Sequence, residues 1–281
     1  MRSIHGGSTL RTASADGTVR CEHGVLTVLA HLDLHFACAV AHRSIGDVMI
    51  TDPDGPADTR IMGIVHSALR RDLLRIEVAT ATKTWQETHR VALADHVLWM
   101  MDFLHHHHES EDKGLYPLVL RCNSEAGPLV DRMNTDHRTI EPAISAVEAA
   151  ALDLRSDRPG SGEALGAALS RLSEVLLPHL ELEEREMMPL VSKSITDAQW
   201  RAWDDEFNIG PKGMQQLGKE GNWLIDGLDA SSRDHVVHLV PPVPRFILLH
   251  ILGIRHRHEF AALWKGSEAA SIPSQPIPKA A

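Results

Sequence analysis

Between residues 57 and 195, apolar positions recur at alternating steps of three and four, the spacing of one buried stripe on an amphipathic helix. Four such stretches follow one another. They predict helices over about Asp58 to Thr80, Glu87 to Arg121, Pro128 to Leu154 and Glu163 to Ser192. Gly114 and Pro117 predict a bend in the second helix, and Pro142 and Pro178 predict kinks in the third and fourth. The turn-forming stretch SDRPGSG separates the last two. Consecutive amphipathic helices with connections this short fold back on one another. The expected fold class is therefore all-α, an antiparallel four-helix bundle with a small helical C-terminal extension.

The flanks read differently. Residues 1–56 are Gly- and Ser-rich and close on TDPDGP, which predicts a poorly ordered N-terminal extension. Met49, just before ITDPDGPADTRIMG, suggests a second explanation, a misassigned start at Met1. Residues 196–265 hold four of the six tryptophans and a PPVP stop, and read as a helical C-terminal subdomain. Within it PRFILLHILGIRHRHEFAALW is amphipathic and partly basic. It suits a membrane surface or a partner, or a cap on the bundle, because Trp223 and Trp264 need a surface to cover. Residues 266–281, ending SIPSQPIPKAA, read as a disordered tail.

Composition narrows the function. With 43% apolar and 23% charged residues, the 281-residue chain can bury a core. A net charge of −10 argues against nucleic acid as a partner, because phosphate neutralisation needs clustered Lys and Arg. No apolar run is long enough for a transmembrane helix. Three cysteines far apart exclude a disulfide scaffold and a thiolate zinc site, and fit a cytoplasmic protein. Histidine is another matter: there are 19, against seven lysines.

Those histidines interrupt the seams. The first reads Met62, His66, Leu69, Leu73, Ile76 and the second Leu93, Val97, Met100, Leu104, His107, Glu111. The third reads Val130, Met133, His137, Ile140, Ile144, Val147. The fourth reads Leu165, Leu169, Leu172, Leu176, His179, Glu183, Met187, Leu190. Each carries one histidine, and in two of them a glutamate follows four residues on, on the same helix face. A carboxylate in a bundle core is costly unless something offsets its charge. A metal does so. His66, His107, Glu111, His137, His179 and Glu183 would meet at one level, with Glu141, four residues after His137, able to join them. Imidazoles and carboxylates without thiolates suit iron. His105, His106 and His108 lie beside His107 and read as solvated neighbours. Asp112 and Glu184 read either as acceptors that orient ligand histidines or as solvated charges, and Tyr116 as a packing residue beside Pro117.

The stretches GIVHSALRRDL, HHHHESEDKGLYPLV, NTDHRTIEPAI and HLELEEREMMPLV resemble the hemerythrin-like proteins with the HHE cation-binding domain. The second and fourth share an internal frame, His-x-x-x-Glu followed by Pro-Leu-Val, that aligns His107 with His179, Glu111 with Glu183 and Pro117 with Pro189. WLIDG and PPVPR look like the C-terminal extension of actinobacterial members. The resemblance implies two non-haem iron ions, oxo- or hydroxo-bridged. His66, His107, His137 and His179 would be ligands and Glu111 and Glu183 the bridging carboxylates. Glu141 stands where the oxygen carriers of the family have a second histidine, which turns the expectation away from reversible oxygen carriage. What remains is a protein that reacts with or senses dioxygen, hydrogen peroxide or nitric oxide. An iron or oxygen storage module without turnover and a metal-free structural bundle are the alternatives. No GluxxHis, HExxH, P-loop or GxSxG motif competes with this reading.

Overall fold

The structure, a computed structural model, describes residues 52–81 and 86–276. The start codon and residues 1–51 of the expected N-terminal extension lie outside the described residues, as do the last five residues of the tail. The end of that extension, residues 52–56, is bonded to the fold, the Asp197 N–H donating to the Gly55 carbonyl and the Ala198 N–H to the Pro53 carbonyl, both at 2.9 Å. Four long helical segments build the bundle. α1 is Arg60–Thr80. α2 is Glu87–Ser110 and passes through a π turn, Glu111–Leu115, into α3, Tyr116–Cys122. After a short 3-10 turn, α4 spans Gly127–Arg155 and runs unbroken through Pro142. α5, Ser161–Leu182, runs through Pro178 and continues by a second π turn, Glu183–Met187, into α6, Met188–Ser194. The two π turns fall at equivalent places in the internal repeat, where the sequence predicted one bend. Each is followed by a proline in the first turn of the next helix, Pro117 or Pro189. Proline lacks an N–H and crowds the carbonyl four residues back, and a turn widened by one residue relieves both.

The seams predicted from the sequence make two apolar cores. One joins Leu69, Leu73, Ile76, Leu93, Leu104, Ile140, Ile144, Leu169 and Leu176. The other joins Met62, Leu115, Tyr116, Val119, Val130, Met133, Met187 and Val191. α1 and α4 run from the second core to the first, and the α2–α3 and α5–α6 segments run from the first to the second. That is up-down-up-down packing. Side chains of this kind stabilise a fold by roughly 1.5–3 kcal/mol each when fully buried. Between the two cores every segment contributes polar residues, so a single polar layer crosses the bundle.

The C-terminal region lies on the bundle. α7, Asp197–Asp204, starts with a capping box made by Thr196 and Gln199. It places Trp200 and Trp203 in the second core. A π turn, Asp205–Ile209, leads on to α8, Met214–Leu224, and then to α9, Ala230–His238. α10, Pro242–Phe246, continues through a π turn, Ile247–Leu252, into α11, Gly253–Trp264. Trp223 of α8 and Phe260, Leu263 and Trp264 of α11 join the first core. This half of the amphipathic stretch is thus a cap, while Val243, Phe246, Ile251 and Ile254 remain exposed.

The tail needs a correction. Residues 266–276 were expected to be disordered on composition alone. Instead Glu268–Ser271 forms a 3-10 turn, Arg75 donates to the Ile272 carbonyl at 2.8 Å, and the Gln275 N–H donates to the Ser67 carbonyl at 3.3 Å. Backbone bonds to α1 tie down a segment that has few apolar side chains. Among the described residues there is no strand, only one bridge between Pro56 and Thr196. No described helix is long and apolar enough to cross a membrane.

Candidate metal centre

The polar layer brings together six of the seven residues singled out in the sequence. α1 supplies His66, α2 supplies His107, the first π turn Glu111, α4 His137, α5 His179 and the second π turn Glu183. None is more than 7% exposed. His66 Nε2 is 3.3 Å from His107 Nε2, and His137 Nε2 is 3.2 Å from His179 Nε2. The two carboxylates lie between these pairs. Glu111 places Oε1 3.3 Å from His107 Nε2 and Oε2 3.5 Å from His137 Nε2. Glu183 Oε2 is 3.4 Å from His66 Nε2 and 3.8 Å from His179 Nε2. Glu111 and Glu183 open the π turns with α-helical dihedrals, their N–H groups bonding the carbonyls of His107 and His179 four residues back, so each stays on the buried face of its histidine.

Glu141 does not join this cluster. It is half exposed on α4 and pairs with His105 Nδ1 at 3.1 Å, at the bundle surface. One step past Ile140 on a helix is a turn of about 100°, enough to carry its side chain off the buried face. The sequence reasoning also missed a residue. His108, expected to be a solvated neighbour, is buried, stacks on His137 at 4.1 Å and lies edge-on to His179 at 5.4 Å. A signal was present: Met101, Leu104 and His108 form a second stripe at steps of three and four, and Met101 and Leu104 are both fully buried. His106 instead donates to the Phe207 carbonyl at 2.8 Å.

Around the cluster, acidic side chains hold the other ring nitrogen of two histidines. Asp112 lies 2.8 Å from His137 Nδ1 and Glu184 3.1 Å from His66 Nδ1, whereas Asp136 stays 3.7 Å from His179 Nδ1, which is buried without a hydrogen-bond partner. Arg70 in turn pairs with Glu184 at 2.7 Å. Such partners fix a ring's orientation and leave Nε2 to face the cluster. Tyr116, the only tyrosine, does more than pack: its hydroxyl donates to Glu183 Oε1 at 3.3 Å and its ring stacks on His137.

Burial decides the protonation of the protein by itself. It holds His66, His107 and His108 well below the usual imidazole range and His179 down to about 2, so their lone pairs are free. Burial, reinforced by Glu183, pushes Glu111 well above the usual carboxylate range. Burial raises Glu183 to about 8, with the Tyr116 hydrogen bond pulling the other way. Both Glu111 oxygens and Glu183 Oε2 are buried with no hydrogen-bond partner. Among the described residues no lysine or arginine pairs with either carboxylate, so the layer has donors without cations. Two trios have ligand atoms all within 4.8 Å of one another, His66 with His107 and Glu183, and His108 with His137 and His179. Each has the composition of a cation site.

No curated protein and no solved structure matches the chain. Residues 58–191 match the family model of the hemerythrin HHE cation binding domain, which covers the whole bundle from before α1 into α6. Residues 58–191 are thus a domain of the hemerythrin HHE cation-binding family.

Proposed function

We propose that this chain holds two iron ions in its polar layer and uses them to react with or sense dioxygen, hydrogen peroxide or nitric oxide. One position lies at His66 and His107, the other at His137 and His179, with Glu111 and Glu183 shared between them. The observation that carries this reading is the pair of fully buried carboxylates with unpartnered oxygens, each within 3.8 Å of histidines from both pairs. Ionising two such carboxyls in an apolar bundle without a counter-ion is strongly destabilising, and bound cations offset that charge. The donor set of imidazole and carboxylate, with no thiolate, suits iron.

When bound, the iron pair supplies redox and Lewis-acid chemistry toward a small ligand. The protein does the rest. Asp112 orients His137 and Glu184 orients His66. The apolar cores on either side of the layer exclude water and strengthen every electrostatic interaction inside it. Tyr116 keeps a proton at its hydroxyl beside Glu183, because burial raises it well above the ordinary phenol range. Donors exposed by 7% at most admit only a small molecule. We place the protein in the cytoplasm, where the exposed free thiol of Cys122 stays reduced.

The test is metal content with a visible spectrum, on protein purified from iron-supplemented cells. Two irons per chain with ferric charge-transfer absorption are expected. Less than one metal per chain, or zinc without those bands, overturns the reading in favour of a structural bundle. Consumption of peroxide by the iron-loaded chain and not by the metal-free chain then separates turnover from storage.

A further inference from the structure

His108 is the one buried donor of the polar layer that the two-pair arrangement leaves unused. In the internal repeat it corresponds to Leu180, which is fully buried in the first apolar core. The same slot therefore takes a plain hydrocarbon in one half of the bundle and an imidazole in the other. Packing alone does not call for the imidazole. Its Nε2 is buried without a hydrogen-bond partner. An unpaired polar atom of this kind destabilises a core, a cost that a leucine avoids. Yet one of its ring nitrogens lies within 4.8 Å of ligand nitrogens of both His137 and His179.

We propose that His108 supplies a third imidazole to the metal position at His137 and His179. This rests on the metal-binding reading above and makes its two positions unequal. His66 and His107 hold one metal with two imidazoles from two helices. His108, His137 and His179 hold the other with three imidazoles from three helices, and Glu111 and Glu183 are shared. The histidine run at 105–108 then divides by role: His105 pairs with Glu141, His106 caps the Phe207 carbonyl, and His107 and His108 face different metals.

The test variant is His108→Phe, which keeps a flat buried ring on His137 and removes the donor nitrogen. Both proteins are loaded anaerobically with ferrous iron, desalted and assayed for metal, with helix content followed by circular dichroism. The expected result is a drop from two irons per chain in the wild type to about one in the variant, at unchanged helicity. Two irons per chain in the variant, held as tightly as in the wild type, assigns His108 to packing and overturns the proposal. Should the variant fail to fold, the wild type decides. On protein labelled at the imidazole nitrogens, zinc is titrated in, and the His108 ring nitrogen signal is expected to shift in step with those of His137 and His179. A His108 signal that stays in place at zinc saturation overturns the proposal while leaving the two-metal reading intact. A wild type that takes up neither iron nor zinc overturns that reading, and this one with it.

Discussion

A buried glutamate and a buried histidine pull the stability of a protein in opposite directions along the pH axis. Glu111 and Glu183 are raised in the folded chain from an ordinary value of 4.5, Glu183 to about 8. As pH climbs from about 4.5 toward about 8, the unfolded chain releases protons that the folded chain still holds, and stability falls. His66, His107, His108 and His179 are lowered from 6.5. As pH drops below about 6.5, the unfolded chain takes up protons that the folded chain refuses, and stability falls again. Four histidines outweigh two glutamates on the acid side, and only the glutamates act on the alkaline side. Chelator-treated protein, unfolded by denaturant across a pH series, is expected to be most stable near pH 6.5. Stability that keeps rising from there to pH 8 contradicts the assignment. Iron displaces the glutamate protons, so loading is expected to flatten the alkaline limb.

At the scale of the element, periodicity shows the helices but not the π turns that interrupt two of them. The steps of three and four located all four helices and six polar-layer residues, because a buried stripe leaves its period in the sequence. They misassigned His108 and Glu141 for related reasons. A bundle helix buries a face at least 100° wide, so His107 and His108 both fit inside it, whereas treating the stripe as a line kept only one. On α4 the stripe bends toward Ile140, and Glu141 falls beyond its edge. The widened turns themselves were foreshadowed only by the prolines that follow them. Gly114, within the first, shows how tightly that turn is covered. A Cβ there would lie 2.6 Å from Trp203 Cδ1 and 2.7 Å from Phe207 Cε2. Trp203 cannot easily withdraw, since it is buried and its indole N–H donates to the Ser110 carbonyl at 3.0 Å. Gly114→Ala is therefore expected to destabilise by ~1–3 kcal/mol through overpacking, despite alanine's better helix propensity. Gly162→Ala, where a Cβ meets nothing within 4 Å, is expected to be neutral or slightly stabilising. Equal denaturation midpoints for the two variants would remove the steric argument.

Over the whole molecule, the bundle and the C-terminal helices are joined by one buried ionic network. Asp72 on α1 accepts from Trp223 Nε1 at 2.7 Å and from His96 Nε2 at 2.8 Å on one oxygen, and from Arg71 Nε at 2.7 Å on the other. Arg71 also donates to the carbonyls of Trp223 and Asp226, and Arg75 reaches the Asp226 carboxylate at 2.5 Å. Burial alone would push Asp72 up, but the Arg71 charge and the His96 hydrogen bond hold it well below the usual carboxylate range. The network borders the polar layer, since Trp223 packs on Phe103 at 4.9 Å and Phe103 stacks on His107 at 6.3 Å. Asp72→Ala strands the fully buried Arg71 guanidinium and the Trp223 N–H at once. Removing one partner of a buried pair costs ~3–5 kcal/mol, whereas an exposed pair such as Arg155–Asp95 is worth under ~1 kcal/mol. Asp72→Ala is thus expected to lower the unfolding free energy by several-fold more than Asp95→Ala. With Trp223 no longer anchored, it is also expected to let a chelator strip iron from the loaded protein faster. If Asp72→Ala costs no more than Asp95→Ala, the C-terminal helices are held by apolar contact alone. If stability falls while the rate of iron loss stays the same, the network is a brace that stops short of the metal layer.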